Sequence, residues 1–175
     1  MNWDAIGAIG ELVGAVAVVL TLVFLAIQVK HNTRSMDESN RLEKASAIDR
    51  HSDSVGRWRG RLAENEELAR IWADARSNGE LSEIETIRLN NLWIDFVNAQ
   101  RSNFVRAKIV GEDGLARQAL LAVAVEIQQS NLLREQWELT RRWHDLASPD
   151  FVSSVEAAQS DLMTWDGKSP LPSKG

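Results

Sequence analysis

The stretch from Ala5 to Val29 reads AIGAIGELVGAVAVVLTLVFLAIQV, and only Glu11, Thr21 and Gln28 interrupt an apolar or glycine run. A helix needs about 20 mostly apolar residues to cross a hydrocarbon core of roughly 30 Å. A helix that is apolar on every side has no solvent face, so the pattern predicts a transmembrane anchor over residues 1–30. Gly7, Glu11, Gly14, Val18, Thr21, Leu25 and Gln28 are spaced alternately by four and three, the a/d seam of a left-handed bundle. Gly10 and Gly14 add a small-xxx-small pair that lets two backbones approach closely. A carboxylate facing lipid is costly, so Glu11 should face a partner helix, water or headgroups. The functional expectation is a homo-oligomer with Glu11 and Gln28 as polar rings. The plainer alternative runs the hydrocarbon core from Leu12 to Val29 and leaves both residues at the interfaces.

Past the span, Leu42, Ala45, Ile48, Val55, Trp58 and Leu62 recur near helical spacing, which predicts a juxtamembrane amphipathic helix over 31–64 with breaks at Gly56 and Gly60. The seam would continue through Asn32, Ser35, Ser39, Leu42, Ser46 and Asp49, too polar for a dry coiled coil. A helical domain follows over 65–165. Asn65 caps a helix over Glu66–Ser77 that Gly79 ends, with Leu68, Ile71, Trp72 and Ala75 on one face. Ser82 and Glu85 form a capping box for a helix reaching about Ile109. Its apolar residues, Ile84, Ile87, Leu89, Leu92, Trp93, Ile94, Phe96, Val97 and Phe104, cover more than one face, as in a central, most buried helix. Asn91, Asp95, Asn98 and Ser102 nevertheless line a polar stripe on it, either a contact surface or simply the exposed side.

Gly111-Glu112-Asp113-Gly114 reads as a turn, and Leu115 to Gln129 as a helix whose run ALLAVAV is too short to span a bilayer. Ser130 or Asn131 opens a helix to Leu146 carrying Leu133, Trp137 and Trp143. Ser148 then Pro149 start a last one, with Phe151, Val155 and Ala158 on one face, and the tail over 166–175 should fray. The fold class is therefore all-α: a transmembrane helix continuing into a long helix, followed by a small helical bundle.

Charge adds an orientation. Lys30 to Arg61 holds 8 basic and 5 acidic residues, whereas Leu62 to Gly175 holds 12 basic and 18 acidic. Lys30 and Arg34 follow the span and only Asp4 precedes it, so the positive-inside rule puts the C-terminal part in the cytoplasm, with Trp3 in the outer aromatic belt. The start lacks the basic n-region and small-residue cleavage site of a secretory signal, so the segment is expected to stay as an anchor. Zero cysteine excludes disulfides and Cys-containing zinc sites.

The opening Trp3 to Glu11, the span's end at Gln28 to Arg34, the Glu67-Leu68-Ala69-Arg70 helix and Ser148-Pro149-Asp150-Phe151 together resemble a family of small bacterial single-pass membrane proteins without assigned activity. The resemblance covers most of the chain and is most specific at the N-terminus. It implies a bacterial inner-membrane protein and carries no catalytic residues.

No phosphate loop, dinucleotide fingerprint, nucleophile elbow or His-Glu-x-x-His occurs, and His31, His51 and His144 are dispersed. No enzyme, cofactor or metal site is expected. Arg57-Trp58-Arg59-Gly60-Arg61 resembles a basic, aromatic phosphate or RNA patch. Within a net acidic domain it reads better as a solvated helix end with one packed Trp, so nucleic acid is not an expected partner. The functional expectation is a membrane-anchored, non-enzymatic protein that homo-oligomerises through its transmembrane helix and acts as a scaffold or binds a cytoplasmic protein partner. The alternative is a homo-oligomeric channel lined by the Glu11 to Gln28 seam.

Overall fold

The computed structural model describes residues 3–164, with side chains from Gly10 onward. The surroundings of Trp3 and Gly7 and the tail over 166–175 lie outside the described residues. Six helices and no strand occur among the described residues: α1 (Trp3–Glu64), α2 (Glu66–Arg76), α3 (Glu83–Val110), α4 (Asp113–Gln129), α5 (Asn131–Ala147) and α6 (Pro149–Thr164). The all-α class is as the sequence predicts. The chain divides into two compact units, Met1–Glu43 and Lys44–Gly175.

In the first unit α1 is unbroken, and every residue from Gly10 to Glu43 is exposed. Its apolar stretch is the one candidate membrane span among the described residues. The Thr21 and Thr33 hydroxyls donate to the carbonyls of Ala17 (2.8 Å) and Val29 (3.0 Å), which satisfies them within the helix.

In the second unit α1 continues through Gly56 and Gly60, where the sequence suggested breaks. A glycine costs a helix interior only about 1 kcal/mol, and burial of neighbouring side chains outweighs that. Trp58 and Leu62 pack against the core here, with Trp58 edge-on to Trp72 at 5.1 Å and 5.3 Å from Phe96. Trp93 completes this aromatic group, 6.5 Å from Trp72 and 5.9 Å from Phe96. The main core lies where α3 and α4 meet α6 and α5, around Val97, Phe104, Val123, Ile127, Leu133 and Phe151.

The caps show how local sequence sets the bounds. The Asn65 side chain accepts from Leu68 N at 3.1 Å, and Ser82 with Glu85 makes the full reciprocal box. The Glu85 carboxyl also takes a hydrogen bond from Arg70; that bond first, and those from Ser82 next, hold its pKa down at about 2. Gly111 ends α3 with φ of 70°, a left-handed conformation that glycine adopts without steric cost, and α4 begins directly at Asp113.

The end of α2 differs from expectation. Asn78, not Gly79, takes the left-handed position (φ 57°), while Gly79 N donates to the Asp74 carbonyl at 2.7 Å. Asparagine is used because its side chain reaches the start of α5: Asn78 Oδ1 accepts from Asn131 N at 2.7 Å. The buried Ser130 hydroxyl caps Leu133 N and donates to the Ala75 carbonyl, so the end of α2 and the start of α5 form one polar joint.

One further expectation needs correction, and two burial patterns add to it. Ile84 and Ile87, expected on the buried surface of α3, are exposed at its start. Trp143 is 76% exposed, while Thr140 and His144 take the buried positions that follow Leu133 and Trp137 on α5. Ala158 is only half-buried, although Phe151 and Val155 on the same face are fully buried.

Candidate functional site

The second unit contains a groove of about 620 Å³ between the last turns of α1 and the middle of α3. Arg50, Ser54, Arg57, Trp58 and Arg61 supply one wall, spaced so that all five lie on one face of α1. Asp95, Asn98, Ala99, Ser102, Asn103 and Arg106 supply the other, with the same helical spacing on α3. Arg61 pairs with Asp95 at 2.6 Å, and Lys44 pairs with Glu112 at 3.0 Å. The first pair ties α1 to α3 and the second ties α1 to the turn after α3, so the two helices run antiparallel along the groove.

Two features that the sequence offered separately thus become opposite walls. Of the Arg57–Arg61 run, Trp58 enters the core, Arg57 and Arg61 line the groove, and Arg59 does not. Of the polar stripe, Asp95, Asn98 and Ser102 line the groove. Asn91 does not; it is exposed and its amide donates back to the Ile87 carbonyl at 3.0 Å. Sequence reading missed Arg50, Asn103 and Arg106. Arg50 and Arg106 continue the i, i+4, i+7 spacing of the two walls, a signal that acquires meaning only once the helices are known to be neighbours.

Asn103 is 4% exposed, and its Nδ2 has no hydrogen-bond partner. Arg50, Arg57 and Arg106 make no ion pair among the described residues. The arrangement can therefore hold an acceptor-rich group. No proton-transfer pair or nucleophile with a neighbouring base lines it.

The seam residues Glu11, Gly14, Val18, Thr21, Leu25 and Gln28 are all exposed on α1, and within one chain nothing is gathered around them. A Cβ added at Gly10 or Gly14 meets no atom within 4 Å. Among the described residues no three His, Asp or Glu side chains gather as a metal set. Comparison with protein-family models, curated proteins and solved structures gives no match.

A second groove, of about 620 Å³, lies between α3 and α5, with Ile94, Leu139 and Trp143 as apolar walls and Thr140 and His144 below them. His144 stacks on Trp137 with ring centres 6.1 Å apart, and its Nε2 is buried without a partner. Burial, and then the charge of Arg101, push the His144 pKa below its ordinary 6.5; burial also lowers that of His51, against a side-chain hydrogen bond to Gln118.

A folded pKa below the unfolded one means that the unfolded chain binds more protons, so stability is complete above about pH 6.5 and declines as pH falls through that value. Glu126, raised by burial, acts in the opposite sense nearer the carboxylate range. The melting temperature of the full chain should therefore drop between about pH 7 and pH 5.5, and His144→Gln should flatten the drop. An equal pH slope in that variant would show that His144 is not the group responsible.

Proposed function

We propose that the chain is a membrane-anchored, non-enzymatic helical protein that self-associates through the N-terminal part of α1 and carries a partner-binding cytoplasmic domain. The carrying observation is the contrast between the units. From Leu12 to Val29 the large apolar side chains are exposed, whereas Lys44–Gly175 buries a core of its own. An exposed apolar surface of that length has no stable place in water, and a lipid bilayer is the solvent that suits it. The spacing of Gly7, Glu11, Gly14, Val18, Thr21, Leu25 and Gln28 on one stripe supports packing of copies against each other. Lys30 and Arg34 support a cytoplasmic C-terminus, and the N-terminal resemblance supports a bacterial inner membrane.

A reporter fused after Gly175 is expected to be active only when it requires the cytoplasm. Changing Lys30 and Arg34 to Glu while adding lysines before Trp3 should produce mixed orientation, because short flanks carry the rule. A C-terminus reached by an external protease would overturn the topology.

A further inference from the structure

We propose that the groove between α1 and α3 binds the phosphoryl group of a small ligand. The proposal stands apart from the membrane reading, since every residue it uses lies within Lys44–Gly175. Four arginines line the groove against one acid, and Asp95 is already engaged by Arg61.

The groove makes the excess charge local. Arg50, Arg57 and Arg106 line it without an acidic partner, and like charges gathered in one groove repel until an anion comes between them. Guanidinium forks match tetrahedral oxyanions bidentately, and forks from two helices can share one group that offers several acceptor oxygens. A carboxylate has only two oxygens and is fully served by a single fork. Asn103 adds a buried amide donor that the protein itself leaves unused, and Ser54 and Ser102 contribute hydroxyls to the same lining.

Size and surroundings restrict the ligand. About 620 Å³ suits a small solute or a headgroup. The chain from Leu62 onward carries 12 basic against 18 acidic residues, a field that opposes a long polyanion outside the groove. Only Trp58 and Ala99 are apolar among its lining residues, which leaves no lane for an acyl chain.

Titration calorimetry on the full chain in neutral detergent tests this with inorganic pyrophosphate and, separately, a water-soluble short-chain phosphatidic acid. Saturable binding of pyrophosphate that Arg57→Gln and Arg106→Gln each weaken roughly tenfold or more, and that Arg59→Gln leaves unchanged, is the expected result. Arg59 belongs to the same basic run but does not line the groove, so it separates site binding from general attraction. Binding of the short-chain lipid alone, with the same arginine dependence, assigns the phosphoryl group to a headgroup. Binding of neither probe by the wild type, or binding that Arg59→Gln weakens as much as Arg57→Gln, overturns the proposal. Helical circular dichroism of each variant establishes that the fold is retained, as expected for arginines that hold no ion pair.

Discussion

Trp93→Ala should cost on the order of 3 to 5 kcal/mol, read from thermal or denaturant unfolding of the detergent-solubilised chain. Trp93 is 0% exposed and is among the largest fully buried side chains. It joins Trp72 and Phe96 on one side, and its indole Nε1 donates to Thr140 Oγ1 at 3.3 Å. Removing it opens a cavity where α2, α3 and α5 meet, and rigid helices cannot collapse fully into such a space. Thr140 is not orphaned, because its hydroxyl also donates to the Gln136 carbonyl at 2.8 Å. The loss is therefore one of packing. Trp93→Phe, which keeps a ring in the space, should cost distinctly less. Trp143→Ala, at a position 76% exposed, should lie within about 0.5 kcal/mol of wild type. Equal effects at Trp93 and Trp143 would contradict the burial that distinguishes them.

That pair of tryptophans also shows which parts of the fold the sequence makes legible. The caps are readable because donor and acceptor lie three residues apart: Asn65 with Leu68, Ser82 with Glu85, Ser130 with Leu133. Central burial of Trp93 is readable because Leu89, Leu92, Phe96 and Val97 surround it at helical spacing. On α5 residue type misleads. Leu133, Trp137, Thr140 and His144 share a face, whereas Trp143 points away, so two polar residues are buried and one of the two tryptophans is not. Spacing was the better guide there, and only knowledge of what α5 packs against reveals it.

The groove was legible only in pieces. Asp95 needs Arg61 to be recognised as one half of a pair, and the two lie 34 positions apart in the chain. A polar stripe on one helix and a basic run on another each have an ordinary explanation as solvent-facing surface. They become a site when tertiary packing brings them together. The same holds for Asn78, whose left-handed conformation is tied to its acceptance from Asn131 N, 53 positions away. Local sequence favours Gly79 for the turn, and the long-range bond decides for Asn78.

Gly14→Leu should weaken self-association of the full chain roughly tenfold or more, equivalent to about 1.4 kcal/mol, while Val19→Leu should leave it unchanged. Sedimentation or mass measurement across a detergent dilution series reads both. Gly14 lies on the seam with Val18 and Leu25, and Val19 lies one residue round from it. Within a single chain a Cβ at Gly14 meets nothing within 4 Å, and leucine is a better helix former than glycine. Inside one molecule the substitution is therefore neutral or stabilising. A loss of assembly can arise only between molecules, where a bulky side chain keeps two backbones from meeting. Glu11→Gln keeps a hydrogen-bonding group at the seam and should preserve assembly. An altered ion flux through liposomes in that variant would instead favour a water-filled path, which polar rings separated by an apolar middle do not provide. A wild type that remains monomeric at every accessible concentration would remove the bundle and the channel together. The chain would then be a single tether carrying a helical binding domain.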